Sequence, residues 1–288
     1  MNKPLFTGVC TALVTPFLDG NVNYPMAEQL LKRQIDAGIN AVVLSGTTGE
    51  SSTLTNDEKI ELISRSKKYV GNQCLVIAGT GSNNTARAIE LSQAAEEAGA
   101  DALLVVSPYY NKATPEGLFR HYLSIAHAVS IPIILYNVPT RTGVDMPVSV
   151  YQRLSNVPNI VGVKEASNNI VKVGDILSSC KNFALWSGND DQIVPTISMG
   201  ASGVISVLSN VLPEETLAIT NAALSGDFTT AASLQRQLLP MIDFLFCEVN
   251  PIPVKAVLQK IGFDCGSCRL PLCELSNGNL QRLNKFFA

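Results

Sequence analysis

Between residues 9 and 207 the chain alternates short apolar runs with amphipathic or alanine-rich stretches. The runs at 8–14, 41–44, 75–78, 102–106, 133–137, 160–165, 183–187 and 203–207 have the length and unbroken apolar character of strands buried in a parallel sheet. The segments between them follow a helical period: Ala27, Leu30, Leu31 and Ile35 sit at i, i+3, i+4 and i+8. Helix starts are marked. Thr55 with Glu58 three residues on reads as a capping box. Thr114-Pro115 and Leu212-Pro213 put proline where a first helical turn tolerates it. A weak repeat runs through the same region. Ala37-Gly38, Ala98-Gly99 and Met199-Gly200 each precede a buried strand, with the glycine at the left-handed position that ends a helix.

Eight βα units closing on themselves make a (β/α)8 barrel of the TIM type, an α/β fold. A doubly wound open sheet would need a phosphate loop at its switch point, and the chain has no GxGxxG. After about Thr216 the strand pattern stops. Leu234, Leu238, Met241, Ile242 and Leu245 fall on one helical stripe, and further helices are predicted at 253–261 and 276–287. Residues 1–224 are read as the barrel and residues 225–288 as a C-terminal helical appendage packed on it.

The remaining bulk properties narrow the function classes. The chain has 288 residues, enough for one large barrel, and a formal net charge of -3 without a basic or acidic block. Nothing in it suggests binding to nucleic acid or to an anionic membrane. No apolar run is long enough to span a bilayer, and the N-terminus lacks the charged-then-apolar order of a signal peptide, so a cytoplasmic protein is expected. The 7 cysteines are odd in number and scattered, as reduced thiols would be. Cys265, Cys268 and Cys273 have the start of a zinc-site spacing. No fourth ligand is nearby, and His121 and His127 lie far back, so no metal is expected.

In such a barrel, chemistry collects at the C-terminal ends of the strands. The second run ends in Gly46, Thr47, Thr48, Gly49 and Glu50, where hydroxyls and backbone N–H groups can converge on an anion or simply form a glycine turn. The fourth ends in Tyr109 and Tyr110, which as a residue type more often pack than catalyse. The fifth ends in Tyr136 and Asn137 and leads to Arg141, and the seventh leads to Gly188. The sixth ends in Lys164. Strand alternation would set Ile160, Gly162 and Lys164 on one face. Among apolar walls a lysine loses hydration and favours its neutral, nucleophilic form, whereas at an ordinary strand end it snorkels to water.

Taken together, residues 46–50, the Tyr136-to-Pro139 segment with Arg141, and Val163 to Ala166 resemble the pyruvate-dependent class I aldolase family. The resemblance runs over nearly the whole chain, including 250–255 and 269–272 in the appendage. It implies a lyase in which Lys164 forms a Schiff base with pyruvate and no metal or organic cofactor is needed. The enamine that follows would attack L-aspartate 4-semialdehyde and the adduct would cyclise, the first committed step of diaminopimelate and lysine biosynthesis. Tyr136 is then the general acid/base, with Thr47 and Tyr110 completing a hydroxyl relay. Tyr110 would serve a neighbouring subunit's site, which implies a homo-oligomer, a dimer or a dimer of dimers. Thr48 and the backbone around Gly188 and Ile205 would hold the pyruvate carboxylate, and Arg141 the semialdehyde carboxylate. N-acetylneuraminate lyase and 2-keto-3-deoxy sugar-acid aldolases share the scaffold and the lysine. Arg141 and the paired threonines favour the semialdehyde reaction, and the intact set Thr47, Tyr110, Tyr136 and Lys164 argues against a catalytically dead regulatory barrel.

The same resemblance bears on regulation. Lysine-inhibited members bind L-lysine at a dimer interface, and the matching positions here are Ser51, Asn56, Lys59, Asn83, Arg87 and Tyr109. Ser51, Asn83 and Tyr109 follow the inhibited pattern. Asn56 and Lys59 stand where that pattern has histidines, and Arg87 where it has a glutamate. A ligand ammonium would meet like charge, so weak or absent feedback inhibition is expected. The alternative is that Lys59 and Arg87 face solvent and pair with acidic neighbours such as Glu90.

Overall fold

Eight parallel strands close into a barrel: β1 (Gly8–Ala12), β2 (Ala41–Leu44), β3 (Leu75–Gly79), β4 (Ala102–Val106), β5 (Ile133–Asn137), β6 (Ile160–Glu165), β7 (Ala184–Ser187) and β8 (Gly203–Ser206). Each pairs with the next in parallel and β1 pairs with β8, so the barrel sheet has no open edge. The computed structural model describes residues 4–287. Every predicted strand is present, with its ends moved by at most two residues.

The helices after each strand are α1 (Tyr24–Ala37), α2 (Asn56–Val70), α3 (Thr85–Glu97), α4 (Pro115–Ala128), α5 (Val148–Leu154), α6 (Ile170–Ser179), α7 (Ile193–Ser198) and α8 (Pro213–Leu224). The capping box of α2 is formed: the Thr55 hydroxyl accepts from the Glu58 N–H at 3.2 Å, and the Glu58 carboxylate accepts from the Thr55 N–H at 2.9 Å. The repeated glycines Gly38, Gly99 and Gly200 all take positive φ where a helix hands over to a strand.

Alternation along the strands divides the core into two layers. Outward residues such as Val42, Val76, Leu103 and Leu135 pack under the helices. Inward residues such as Cys10, Val43, Ile77, Leu104, Ile134 and Ile205 fill the barrel. Its interior is plugged by Trp186, fully buried and stacked on Phe6 at 4.8 Å between ring centroids. Gly162 makes room for that plug, since a Cβ there would sit 2.8 Å from the indole and 2.3 Å from the Ala184 carbonyl. One expected alternation fails. The β5–β6 register shifts between Ile133 and Ile134, which face Ile160 and Gly162, so Val161 is an extra residue. Ile160 therefore packs in the outer layer, while Gly162 and Lys164 point inward beside Ile134 and Tyr136.

Three helices follow the barrel: α9 (Phe228–Leu245), α10 (Ile252–Lys260) and α11 (Asn277–Phe286). The predicted stripe on α9 packs inward, with Ile242 and Leu245 buried and Leu234, Leu238 and Met241 half-buried. The first turns of α10 are buried, including Lys255, while Gln259 and Lys260 at its end are exposed. Among the described residues no helix is long and apolar enough to cross a membrane.

Candidate active site

The register of the barrel sets the position of Lys164. It lies opposite Tyr136 on β5 and Trp186 on β7, one residue from the end of β6. Its side chain is 5% exposed, with Nζ 4.6 Å from the centroid of the Tyr136 ring. Below it lies fully buried Cys10, whose thiol is held protonated because burial pushes its pKa well up. Gly188 leaves space beside the lysine: a Cβ there would come within 3.1 Å of Lys164 Cε and 2.6 Å of Ala166 Cβ. The adjoining Glu165 points the other way and is fully engaged. It accepts from Asn137 Nδ2 at 3.0 and 3.1 Å, from the Tyr151 hydroxyl at 3.1 Å and from the Ser167 N–H at 2.8 Å. Neighbouring charges on one strand thus separate into a fixed structural carboxylate and an amine that opens on a chamber.

That chamber has a volume of about 190 Å³ and is lined by Lys164, Tyr136, Thr47, Thr48, Arg141 and Gly188, among others. Thr47 and Thr48 come from the loop after β2, which is bent into left-handed conformation at Ser45 and Glu50. Arg141 comes from the single helical turn Pro139–Thr142 after β5, and in the described chain its guanidinium forms no ion pair. The β8 side is supplied by Val207, whereas Ile205 is buried in the barrel interior. Asp190 fixes that side by accepting the N–H groups of Val207 and Leu208, both at 2.9 Å. Burial raises the Asp190 carboxyl, against the lowering effect of Ser206 and those two N–H groups.

Besides Ile205, two sequence-predicted residues line neither cavity. Tyr110 is 89% exposed on a loop with positive φ and lines neither cavity. Asn83 lies outside both, its carbonyl accepting from Asn111 Nδ2 at 3.0 Å. The other expected regulatory positions, Ser51, Asn56, Lys59, Arg87 and Tyr109, line a second cavity of about 690 Å³ that shares Thr47, Tyr136, Arg141 and Asn250 with the chamber. Glu90 lines it as well, yet among the described residues neither Lys59 nor Arg87 forms an ion pair. Burial lowers the pKa of Lys59.

The appendage contributes more than the sequence suggested. Asn250, just before α10, donates from Nδ2 to Thr48 Oγ1 at 2.9 Å and lines both cavities. Its Oδ1 is buried without a hydrogen-bond partner. Glu50 is buried and paired with buried Lys255 at 2.6 Å, and it accepts the Arg269 N–H at 2.8 Å. The Arg269 guanidinium chelates Glu58, holding that carboxyl at about 2. Both cations also lie over the Phe17 ring, at 4.3 and 4.4 Å. These tethers fix the 46–50 loop from outside the barrel. In the sequence, Asn250, Lys255 and Arg269 fall within the two appendage segments, 250–255 and 269–272, that carry the family resemblance, but nothing there assigned them partners on the barrel.

A barrel with a buried lysine at one strand end, a tyrosine on the adjoining strand and paired hydroxyls across the mouth has the layout of a Schiff-base lyase. Comparison with known proteins places the branch: the chain belongs to the dihydrodipicolinate synthetase family, whose model matches residues 5–287. It is 48% identical over 282 residues to the 4-hydroxy-tetrahydrodipicolinate synthase of Thermoanaerobacter sp. (strain X514), covering 97% of this chain and 95% of that one. Among solved structures, dihydrodipicolinate synthase from Aquifex aeolicus superposes with a TM-score of 0.96 at 41% identity, covering 98% of this chain and 97% of that one. A lysine-bound structure of the enzyme from Cyanidioschyzon merolae matches with a TM-score of 0.95 at 39% identity, covering 98% and 97%.

Proposed function

We propose that this chain condenses pyruvate with L-aspartate 4-semialdehyde through a Schiff base on Lys164, giving 4-hydroxy-tetrahydrodipicolinate for diaminopimelate and lysine synthesis. The observation that carries the reading is the buried Lys164 amine, 4.6 Å from the Tyr136 ring centroid and open to a chamber rimmed by Thr47 and Thr48. The neutral amine attacks the keto carbon of pyruvate, and loss of water leaves an iminium. The iminium is an electron sink, so a methyl proton departs and an enamine forms. The enamine carbon bonds to the aldehyde carbon of the semialdehyde. The semialdehyde's own amine then closes on the iminium carbon and releases Lys164. This family chemistry needs no external cofactor.

Each proton transfer requires a group that both donates and accepts, and the hydroxyls of Tyr136 and Thr47 are such groups at the chamber wall. Thr48, held by Asn250, and the backbone at Gly188 bind the pyruvate carboxylate. Arg141, lining both cavities, takes the semialdehyde carboxylate by charge-assisted hydrogen bonds. Exposed Tyr110 completes the relay in a second copy of the chain, so the working unit is a homodimer or a pair of dimers in the cytoplasm. Residues 1–224 form the catalytic barrel, and 225–288 an appendage that closes its mouth with Asn250 and Phe246. Five of the six positions that the family resemblance implies for a regulatory site line the larger cavity, where Lys59 and Arg87 make it a poor host for an ammonium ligand. Assay of the purified protein with pyruvate and aspartate semialdehyde, against N-acetylneuraminate in parallel, tests the reading. Turnover of the first pair only is expected; cleavage of the sugar acid without condensation would overturn it.

A further inference from the structure

The larger cavity carries positive charge that the chain around it does not balance. Lys59, Arg87 and Arg141 line its wall, against the carboxylates of Glu50 and Glu90. Glu50 is already neutralised by Lys255 at 2.6 Å. Three cations therefore face one free carboxylate, an excess of two positive charges in a chain whose net charge is -3. Among the described residues none of the three forms an ion pair, and the side chains of Lys59 and Arg87 make no hydrogen bond either. Acidic neighbours are close in sequence. Glu90 follows Arg87 by three residues on α3, a spacing that pairs on a helix surface, yet the two stay apart. On α2, Arg65 takes Glu61 and Arg269 takes Glu58. Lys59 is half-buried, and burial lowers its pKa because no counter-charge offsets the lost hydration.

The two helical cations are placed to act together. Lys59 is the fourth residue of α2 and Arg87 the third of α3, so both lie in first turns at the mouth of the barrel. Those helices follow neighbouring parallel strands and pack side by side. Packed helices run roughly 8–10 Å from axis to axis. Both side chains border the same space, so a molecule with two acidic ends joined by a few carbons can reach both.

We propose that this cavity is a binding site for a small dicarboxylate, held at one end by Lys59 and at the other by Arg87, and that its occupation opposes the semialdehyde at Arg141. The effect on turnover rests on the active-site reading above; the binding does not. At about 690 Å³ the cavity has the size of a ligand pocket. The guanidinium offers a planar fork to one carboxylate, and the lysine a point charge to the other. Buried Leu54 and Leu91 give the carbon chain an apolar wall, and Ser51, Asn56 and Ser82 bring further hydrogen-bond donors to the lining. The cavity runs on into the chamber through Thr47, Tyr136, Arg141 and Asn250, which line both. A bound dianion sets negative charge in the space from which the semialdehyde carboxylate reaches Arg141, and like charge there raises the KM for that substrate.

The test titrates the full chain with glutarate by calorimetry, at low ionic strength and without either substrate. A Kd below about 1 mM is expected, and it weakens as salt is raised. Lys59→Gln combined with Arg87→Gln weakens it at least about tenfold, the scale of a lost charge-assisted hydrogen bond, and leaves turnover without glutarate unchanged. Arg87→Gln alone, at an exposed side chain, gives part of that loss. Arg141→Ala keeps the binding. In steady-state assays glutarate raises the semialdehyde KM of the wild type but not of the double variant. A Kd above about 1 mM, equal binding by wild type and double variant, or binding lost in Arg141→Ala alone would overturn the site. Inorganic phosphate binding as tightly as glutarate would overturn the dicarboxylate class. Glutarate bound with an unchanged KM would overturn the coupling to turnover. Calorimetry needs no turnover, so failure of the site is distinguishable from failure of the Schiff-base reading.

Discussion

The chamber at Lys164 and the larger cavity above it share a wall but are built by different means. In the chamber, Lys164 and Tyr136 are neighbours by strand register, fixed by the hydrogen-bonded ladder of the barrel itself. The larger cavity takes Asn56 and Lys59 from α2, Arg87 and Glu90 from α3, and Pro271 and Leu272 from the appendage. No ladder relates those elements, and the loop between the two spaces is held by the Glu50–Lys255 pair and the Asn250–Thr48 hydrogen bond. The difference teaches that, on the proposed reading, the Schiff-base lysine and the tyrosine beside it sit on the rigid part of the fold, while Thr47 and the surfaces that would select a substrate or effector sit on tethered parts. Chemistry can stay constant while the outer wall changes its charge.

The sharpest way to break this division is at the nucleophile. Lys164→Ala is expected to lower kcat/KM by roughly 10³-fold or more, about 4 kcal/mol of barrier, with unfolding unaffected to within about 1 kcal/mol. Lys164→Arg is expected to fail equally, because guanidinium stays protonated. Steady-state kinetics with denaturant melts checks both; appreciable turnover in either variant would remove Lys164 from the mechanism.

The tether comes next. Glu50→Gln leaves the Lys255 ammonium buried without its counter-charge and is expected to cost roughly 3–5 kcal/mol of stability. Urea unfolding measures this, and a cost under about 1 kcal/mol would mean that the seam carries little of the load assigned to it. Arg141→Ala is expected to trap pyruvate normally but lose at least about tenfold in kcat/KM for the semialdehyde. Equal losses for both substrates would place Arg141 in the first half-reaction.

How much of this was legible in the sequence follows the same division. All eight strands were marked by apolar runs, and the capping box and handover glycines took the predicted geometry, because short-range periodicity and backbone sterics set them. The face of Ile160 was misjudged, since one extra residue in a ladder leaves no trace in a run of apolar side chains. Asn250, Lys255 and Arg269 meet Thr48, Glu50 and Glu58 across more than 200 positions of chain, as |i−j| values of 202 and 211 record for two of these contacts. Such contacts are decided by how the appendage docks, which no local pattern encodes.

Smaller effects sharpen the picture of the outer wall. Tyr110→Phe is expected to slow turnover without dissociating the oligomer, because only a hydroxyl is removed from a ring that is 89% exposed in the single chain. Sedimentation finding a fully active monomer at assay concentration would contradict its role across subunits. Smallest of all is the response to L-lysine at saturating substrates. Half-inhibition is expected to require more than about 1 mM, equivalent to no more than roughly 4 kcal/mol of binding. Tighter inhibition would show that Lys59 and Arg87 swing clear of the ligand.

The central claim is that one lysine, selected by barrel register, carries the reaction. It is tested most directly by incubating the protein with pyruvate, reducing with borohydride and mapping the adduct by mass. The account predicts a single modified site at Lys164, where trypsin no longer cleaves, and no adduct in Lys164→Ala. An adduct on another lysine, such as the buried Lys172 or Lys255, or no adduct at all, would contradict it.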